Sequence, residues 1–165
     1  MMNRENRILI LSGVGLLALT MFFGFWYAIF DEHQTLNAMG FALATGFMEA
    51  AGSNLNGAYE ALDQYGALSR EYRQEIHFHG HFAFLGLTAI LFGLVAHTLA
   101  YGERTRVRLA SFLAVSAFLF PFGVFLQIGS LQGLGKIVAV LGTIGLVVSI
   151  LFIVVGIMRS EETTG

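Results

Sequence analysis

Four stretches of this chain contain no Asp, Glu, Lys or Arg: Ile8 to Phe30, Ile76 to Tyr101, Leu109 to Ser130 and Ile137 to Met158. Each matches the ~20 apolar residues that carry a helix across a hydrocarbon core. Of the 165 residues, 56 % are hydrophobic and 12 % charged, whereas soluble proteins carry about 25 % charged residues. Such a surface must face lipid. The expected fold is all-α, an integral membrane four-helix bundle forming a single membrane domain over residues 1–165, with an outer loop at residues 31–75.

The first stretch follows Arg4 and Arg7, so a signal peptide competes with a membrane anchor for it. The anchor is preferred, because the run is longer than the roughly 7 to 15 residues of a signal core and shows no Ala-x-Ala pattern. It ends instead in Phe22, Phe23, Phe25, Trp26, Tyr27 and Phe30, aromatic side chains that suit a membrane boundary. With four crossings, Arg4, Arg7, Arg104, Arg106, Arg108 and Arg159 fall on one side, and Arg70, Arg73 and Lys136 on the other. Basic flanks favour the cytoplasmic face, so a multi-pass protein of the cell membrane with both termini cytoplasmic is expected. The net charge of -2 says little about partners, and with no basic field no nucleic acid partner is expected. With no cysteine, disulfides, thiolate metal sites and covalent haem attachment are excluded too.

In the outer loop, Leu36, Met39, Phe41, Ala42 and Leu43 lead to Phe47 and Met48 before Gly52, Ser53 and Asn54 break the run. A second helical piece is expected over Leu55 to Tyr65, where Leu55, Tyr59 and Leu62 recur at helical spacing. The pieces read either as short amphipathic helices capping the outer mouth or as an ordinary ordered loop. The turns at Gly102 to Arg106 and Gly129 to Gly135 are short, and Pro121 inside the third span is expected to kink it. In the fourth span Gly135, Gly142, Ser149 and Gly156 recur every seven residues. That small-residue face should meet another helix closely, either within the chain or on another copy or a larger membrane complex.

The chemically loaded segment is His77-Phe78-His79-Gly80-His81. Ionisable residues inside a span are costly and point to function. At 3.6 residues per turn His77 and His81 share a face and His79 points elsewhere, so one metal does not collect all three. Three uses fit. His77 and His81 could hold a metal at the outer mouth with Glu75, Glu49, Glu60 or Asp63, since imidazole suits Zn, Cu, Fe and Ni. His79 could be the axial ligand of haem b within the bundle. Or all three could be interfacial histidines satisfied by water and headgroups.

After His79, Ala83, Gly86 and Gly93 form a shallow groove on the same face, against which a porphyrin or a neighbouring helix could lie. His97 follows five turns later on that stripe, ~27 Å away, too far to share one iron with His79. It reads as a lone interfacial residue beside the arginine turn. The pair His77 and His81 resembles a histidine box of membrane diiron oxygenases, but no second box exists here.

Two resemblances follow from Ile76-His-Phe-His-Gly-His-Phe-Ala-Phe-Leu-Gly-Leu87. The helix resembles the second span of the large subunit of haem-copper oxidases and nitric oxide reductases, where an early histidine ligates a low-spin haem. That resemblance covers this helix alone. Over its whole length the chain is similar to styrene oxide isomerase, which has four spans and a histidine followed seven residues later by glycine; His79 and Gly86 match that pair. The similarity implies that His79 is the proximal ligand of a ferric haem b whose iron opens an epoxide as a Lewis acid. Leu85 stands where that family has Asn, and its third-span Asp and Tyr have no counterpart among Leu109 to Ser130.

The expected function is therefore that of a haem b-binding membrane protein, with His79 as ligand and Ala83, Gly86 and Gly93 receiving the ring. Its iron would act either as a Lewis acid in an isomerase-like reaction or as a redox centre. The rivals are a noncatalytic small subunit of a larger membrane complex and an outer-face metal-binding protein using His77 and His81.

Overall fold

The computed structural model describes residues 2–127 and 131–162, the last two by their backbone alone. Five helices follow one another: α1 (Arg4–Phe30), α2 (Glu32–Ala51), α3 (Leu55–Val95), α4 (Glu103–Phe125) and α5 (Gln132–Glu162). A 3₁₀ turn at Ala96–Thr98 separates α3 from α4, and no strand occurs among the described residues. Four of the helices, α1, α3, α4 and α5, are long and apolar enough to cross a membrane. Leu11, Phe22 and Phe25 on α1 and Ile137, Leu141, Ile144 and Leu151 on α5 are all exposed. Soluble monomers do not display contiguous apolar surface on this scale, whereas lipid tails accept it.

The region expected as short helices is more continuous than its composition implied. α2 has 20 residues, and the piece expected over Leu55 to Tyr65 is the start of α3, which runs 41 residues without a break. At 1.5 Å per residue α3 is ~60 Å long, about twice the ~30 Å hydrocarbon thickness. The reason is local: between Gly66 and Gly80 there is neither glycine nor proline. Residues such as Arg70, Glu71, Arg73 and Gln74 change what surrounds the helix, not its hydrogen bonding. The second span also ends sooner than expected, at Val95 rather than Tyr101, and α4 continues through the buried Pro121. The expected end of the third span at Ser130 and the start of the following turn at Gly129 lie outside the described residues.

The chain forms two compact units, Phe22–His77 and the combination of Met1–Met21 with Phe78–Gly165. In the smaller unit α2 and the first part of α3 pack through small residues. Ala42, Ala58 and Ala61 are buried, and a Cβ added at Gly46 would lie 3.5 Å from that of Ala61. The connecting turn is the one marked by Gly52, Ser53 and Asn54. Ser53 adopts a positive φ of 61°. The Asn54 carbonyl-type oxygen Oδ1 accepts from the Gly57 N–H at 3.2 Å, which caps α3, while its Nδ2 donates to Glu49 Oε2 at 2.7 Å.

In the larger unit two helix pairs approach through glycine. Gly86 of α3 lies against α1: a Cβ there would sit 2.9 Å from the Gly13 carbonyl oxygen and 3.1 Å from Leu17 Cγ. One heptad on, a Cβ on Gly93 would come 2.8 Å from Ile10 Cγ1. Between α4 and α5, side chains at Gly123 and Gly142 would overlap the backbones of Ala139 and Phe120, and one at Gly145 would overlap the Ser116 hydroxyl. The α5 heptad stripe is therefore consumed within the chain. Gly135 packs against Gly123 and Gln127, Ser149 is fully buried, and Gly156 lies under the rings and methyls of Tyr101 and Leu99. Of the occupants open to this seam, elements of the same chain fill it, namely α4 and the segment after α3.

The left-handed backbone at Ser53 costs a residue with a Cβ ~1–2 kcal/mol that glycine escapes. Ser53→Gly is expected to raise the thermal midpoint of the detergent-solubilised protein, and Asn54→Ala to lower it by ~1 kcal/mol through loss of the cap. Each corresponds to ~2–4 °C for a chain of this size, read by circular dichroism melting.

Candidate functional site

Three histidines within little more than one turn of α3 occupy three different environments. Phe78 and Phe82 point into the bundle and are buried, with their rings edge to face at 5.0 Å. Phe78 meets Phe125 of α4 at 5.0 Å and Phe82 meets Phe118 at 6.1 Å. Phe118, Phe122 and Phe125 continue the cluster along α4 at 5.5 and 6.5 Å. His81 joins this side, its ring 4.8 Å from that of Phe120. His81 is thus part of an aromatic contact between α3 and α4, and His77 lies exposed in the smaller unit.

His79 is half-buried and differs from both. Its Nδ1 is buried and has no hydrogen-bond partner. It stands one heptad before Gly86 and two before Gly93, on the stripe that faces α1. Since Gly93 meets Ile10 and Gly86 meets Gly13 to Leu17, the same antiparallel register brings His79 level with Thr20. The Thr20 hydroxyl does not serve it, because it donates to the Leu16 carbonyl of its own helix at 3.0 Å.

The glycine groove does not have the role expected for it. Gly86 and Gly93 are covered by α1 at distances that leave no room for a methyl group, so a porphyrin could lie there only by expelling α1. Of the two uses open to that groove, the neighbouring helix has taken it. Ala83 on the same helix is half-buried. The outer metal site is not assembled either: among the described residues no group of three His, Cys, Asp or Glu side chains is placed to hold an ion. Glu49, one of its expected members, is engaged by Asn54. Glu75, another expected member, is engaged by Tyr27, whose hydroxyl donates to its carboxylate.

The best-built polar cluster lies elsewhere in the larger unit and joins residues the sequence does not connect. Glu5, in the first turn of α1, is only 1 % exposed. Its Oε1 lies 2.9 Å from Nε of Arg106 in the first turn of α4. The Arg106 guanidinium also donates through Nη1 to the His97 carbonyl at 2.8 Å. The His97 ring, in the 3₁₀ turn, pairs its Nδ1 with the Asn6 amide nitrogen at 3.3 Å. Three segments are thereby tied at one end of the bundle, and His97 is a member of this tie rather than a lone interfacial residue. Below it a cavity of about 10 Å³ is lined by Arg106, Leu9, Ala96, Leu99 and Ile153 among others. Next to it the Tyr101 hydroxyl donates to the Phe152 carbonyl at 2.8 Å, and the Ala100 N–H to that of Gly156 at 3.1 Å. These bonds satisfy backbone carbonyls of α5 from the turn.

The only sequence signal for this tie is one glutamate at the head of an apolar helix and an arginine at the head of another. The geometry suits structural work: a buried anion against a half-buried cation, each next to a helix end, above a cavity of only about 10 Å³. Comparison with known protein families, curated proteins and solved structures gives no match.

Removing one partner of a buried pair strands the other charge, at a cost of ~3–5 kcal/mol. Arg106→Leu and Glu5→Leu are each expected to lower stability by about that amount in detergent unfolding titrations. The double variant should recover much of the loss, since apolar replacement of both partners is often close to neutral. Equal and additive losses in the double variant would show that the pair is not coupled.

Proposed function

We propose that this chain is a multi-pass protein of the cell membrane, with both termini cytoplasmic, that binds haem b through His79. The observation that carries the reading is the buried, unpartnered Nδ1 of His79. A polar atom left without a partner in an apolar setting costs free energy, and an intramembrane ionisable residue invites a functional role. The donor fits the group: a neutral imidazole is a haem ligand. The glycines do not fit as its cradle, because α1 covers Gly86 and Gly93. Such a ring would rest on surfaces other than that groove, and His79 is the residue carried forward. When bound, the iron would supply Lewis acidity toward a substrate oxygen, as the likeness to styrene oxide isomerase implies, or one-electron redox capacity.

The orientation rests on the distribution of arginines. Arg4, Arg7, Arg104, Arg108 and Arg159 are exposed near helix ends that four crossings place on one side, as the bias of Lys and Arg toward the cytoplasm favours.

A second reading, a noncatalytic subunit of a larger membrane complex, is favoured by the use made of the glycine face. Residues that would cradle a cofactor serve helix packing instead. Broad apolar faces such as that of Ile137, Leu141, Ile144 and Leu151 on α5 remain exposed for lipid or a partner protein.

Absorption spectra of the purified protein, oxidised and dithionite-reduced, separate the two. The expected result is a Soret band with an α band on reduction, abolished by His79→Ala and largely retained in His77→Ala and His81→Ala. Loss of the bands in His81→Ala alone would move the ligand by two residues. A colourless protein after expression with ample haem would overturn the haem reading and leave the subunit role.

A further inference from the structure

Between α1 and α4 lies a lateral crevice of about 540 Å³, lined by Gly15, Leu16 and Leu19 on one side and by Ala114, Val115 and Phe118 on the other. At the heads of the same two helices a second opening, of about 390 Å³, is bordered by Arg4 of α1 and by Arg104, Arg108 and Glu103 of α4. The two openings lie over the same faces of α1 and α4. On α4, positions 104, 108, 111, 115 and 118 recur at steps of three and four, which is a single helix face. On α1, positions 4, 8, 12, 15 and 19 do the same.

The chemistry changes along these faces in the order of an amphiphile. Three exposed arginines outweigh one glutamate at the head. From Arg104 to Ala114 is ~15 Å of helix, and beyond it the lining is apolar save for the small hydroxyl of Ser12. From Arg104 to Phe118 is ~21 Å, enough to run from a headgroup to the middle of a ~30 Å hydrocarbon core. Both volumes fall in the ~300–1,000 Å³ range of small-molecule sites.

We propose that this groove holds an anionic glycerophospholipid, its phosphate between Arg4, Arg104 and Arg108 and one acyl chain against Gly15, Leu16, Ala114 and Phe118. Guanidinium is the side chain that best matches phosphate oxygens, and basic pockets between transmembrane helices take anionic headgroups. Gly15 has a distinct part. Two residues earlier Gly13 is closed by the Gly86 backbone, whereas a Cβ on Gly15 would meet nothing within 4 Å. Its missing side chain leaves the crevice open instead of serving helix packing. The proposal stands apart from any haem, since it uses α1 and α4 and no histidine.

The test is native mass spectrometry of the delipidated protein after incubation with equimolar dioleoyl phosphatidylglycerol and dioleoyl phosphatidylcholine. Preferential retention of phosphatidylglycerol is expected, with the ratio falling about fivefold for each of Arg104→Gln and Arg108→Gln. Arg7→Gln, an exposed arginine of α1 outside the lining, should leave the ratio unchanged. Gly15→Leu fills the crevice without touching α3 and should reduce retention of both lipids. Equal retention of the two lipids by the unaltered protein would overturn the proposal. So would an effect of Arg7→Gln as large as that of Arg104→Gln, or undiminished lipid retention by Gly15→Leu. Circular dichroism and size exclusion of each variant identify any that misfolds, in which case the remaining arginine variant and Gly15→Leu decide.

Discussion

The close approach of helices through residues without side chains is the constraint on which the larger unit depends. Inside a bilayer, lipid tails compete with leucine on equal terms, so apolar side chains alone do not hold helices together. What remains is dispersion between surfaces that fit, and its strength falls away when a gap of even 0.5–1 Å opens. Gly13 and Gly86 let α1 and α3 bring backbone against backbone, and Gly123 and Gly142 do the same for α4 and α5. A methyl at any of these positions would push a helix away from its neighbour along its length.

Polar groups follow the same economy. Thr20, Thr143 and Ser149 donate their hydroxyls to the carbonyls of Leu16, Ala139 and Gly145 on their own helices. No partner helix is needed to satisfy them, so they read as small residues in the packing. Glu5 and Arg106 cannot be satisfied in that way, and each requires the other. Their pairing makes α1 and α4 meet at one end, while Arg106 also secures the turn that follows α3 through the His97 carbonyl. Packing by glycine specifies how near two helices come. The ion pair specifies which ends come together, because a mismatched register would bury both charges alone.

The parts of this arrangement legible in the sequence are those that depend on composition along one helix. The absence of charge over ~20 residues marks a span because lipid tolerates nothing else there. The heptad of Gly135, Gly142, Ser149 and Gly156 marks a close contact because only small residues permit one. The identity of the partner was not legible, since the spacing is the same whether α4, a second copy or a porphyrin lies opposite. Gly86 and Gly93 show the consequence: their face was recognisable, its occupant was not. α3 was misjudged for a different reason. Its polar stretch around Arg70 to Glu75 resembles a loop by hydropathy, yet helix continuity is decided by glycine, proline and capping, and none interrupts it there. The tie of Asn6 to His97 spans 91 residues, a separation over which no local pattern can report.

His79 and Gly15 are two places where the chain departs from this packing logic, and they do so in opposite senses. His79 continues the stripe of Gly86 and Gly93 but replaces a small residue with a large polar one at the next heptad, and a buried nitrogen is left without a partner. Gly15 omits a side chain where no helix comes close enough to need the space. A bundle shaped by packing alone would have a small residue at the first position and a large apolar one at the second. Each departure costs stability, the first by desolvating a polar atom and the second by leaving dispersion contacts unmade. Both costs are offset if something other than protein fills them, a ligand atom at His79 and a lipid chain at Gly15. His79 stands on α3, whereas Gly15 lies on α1 opposite α4, so a ligand at one would not require a ligand at the other.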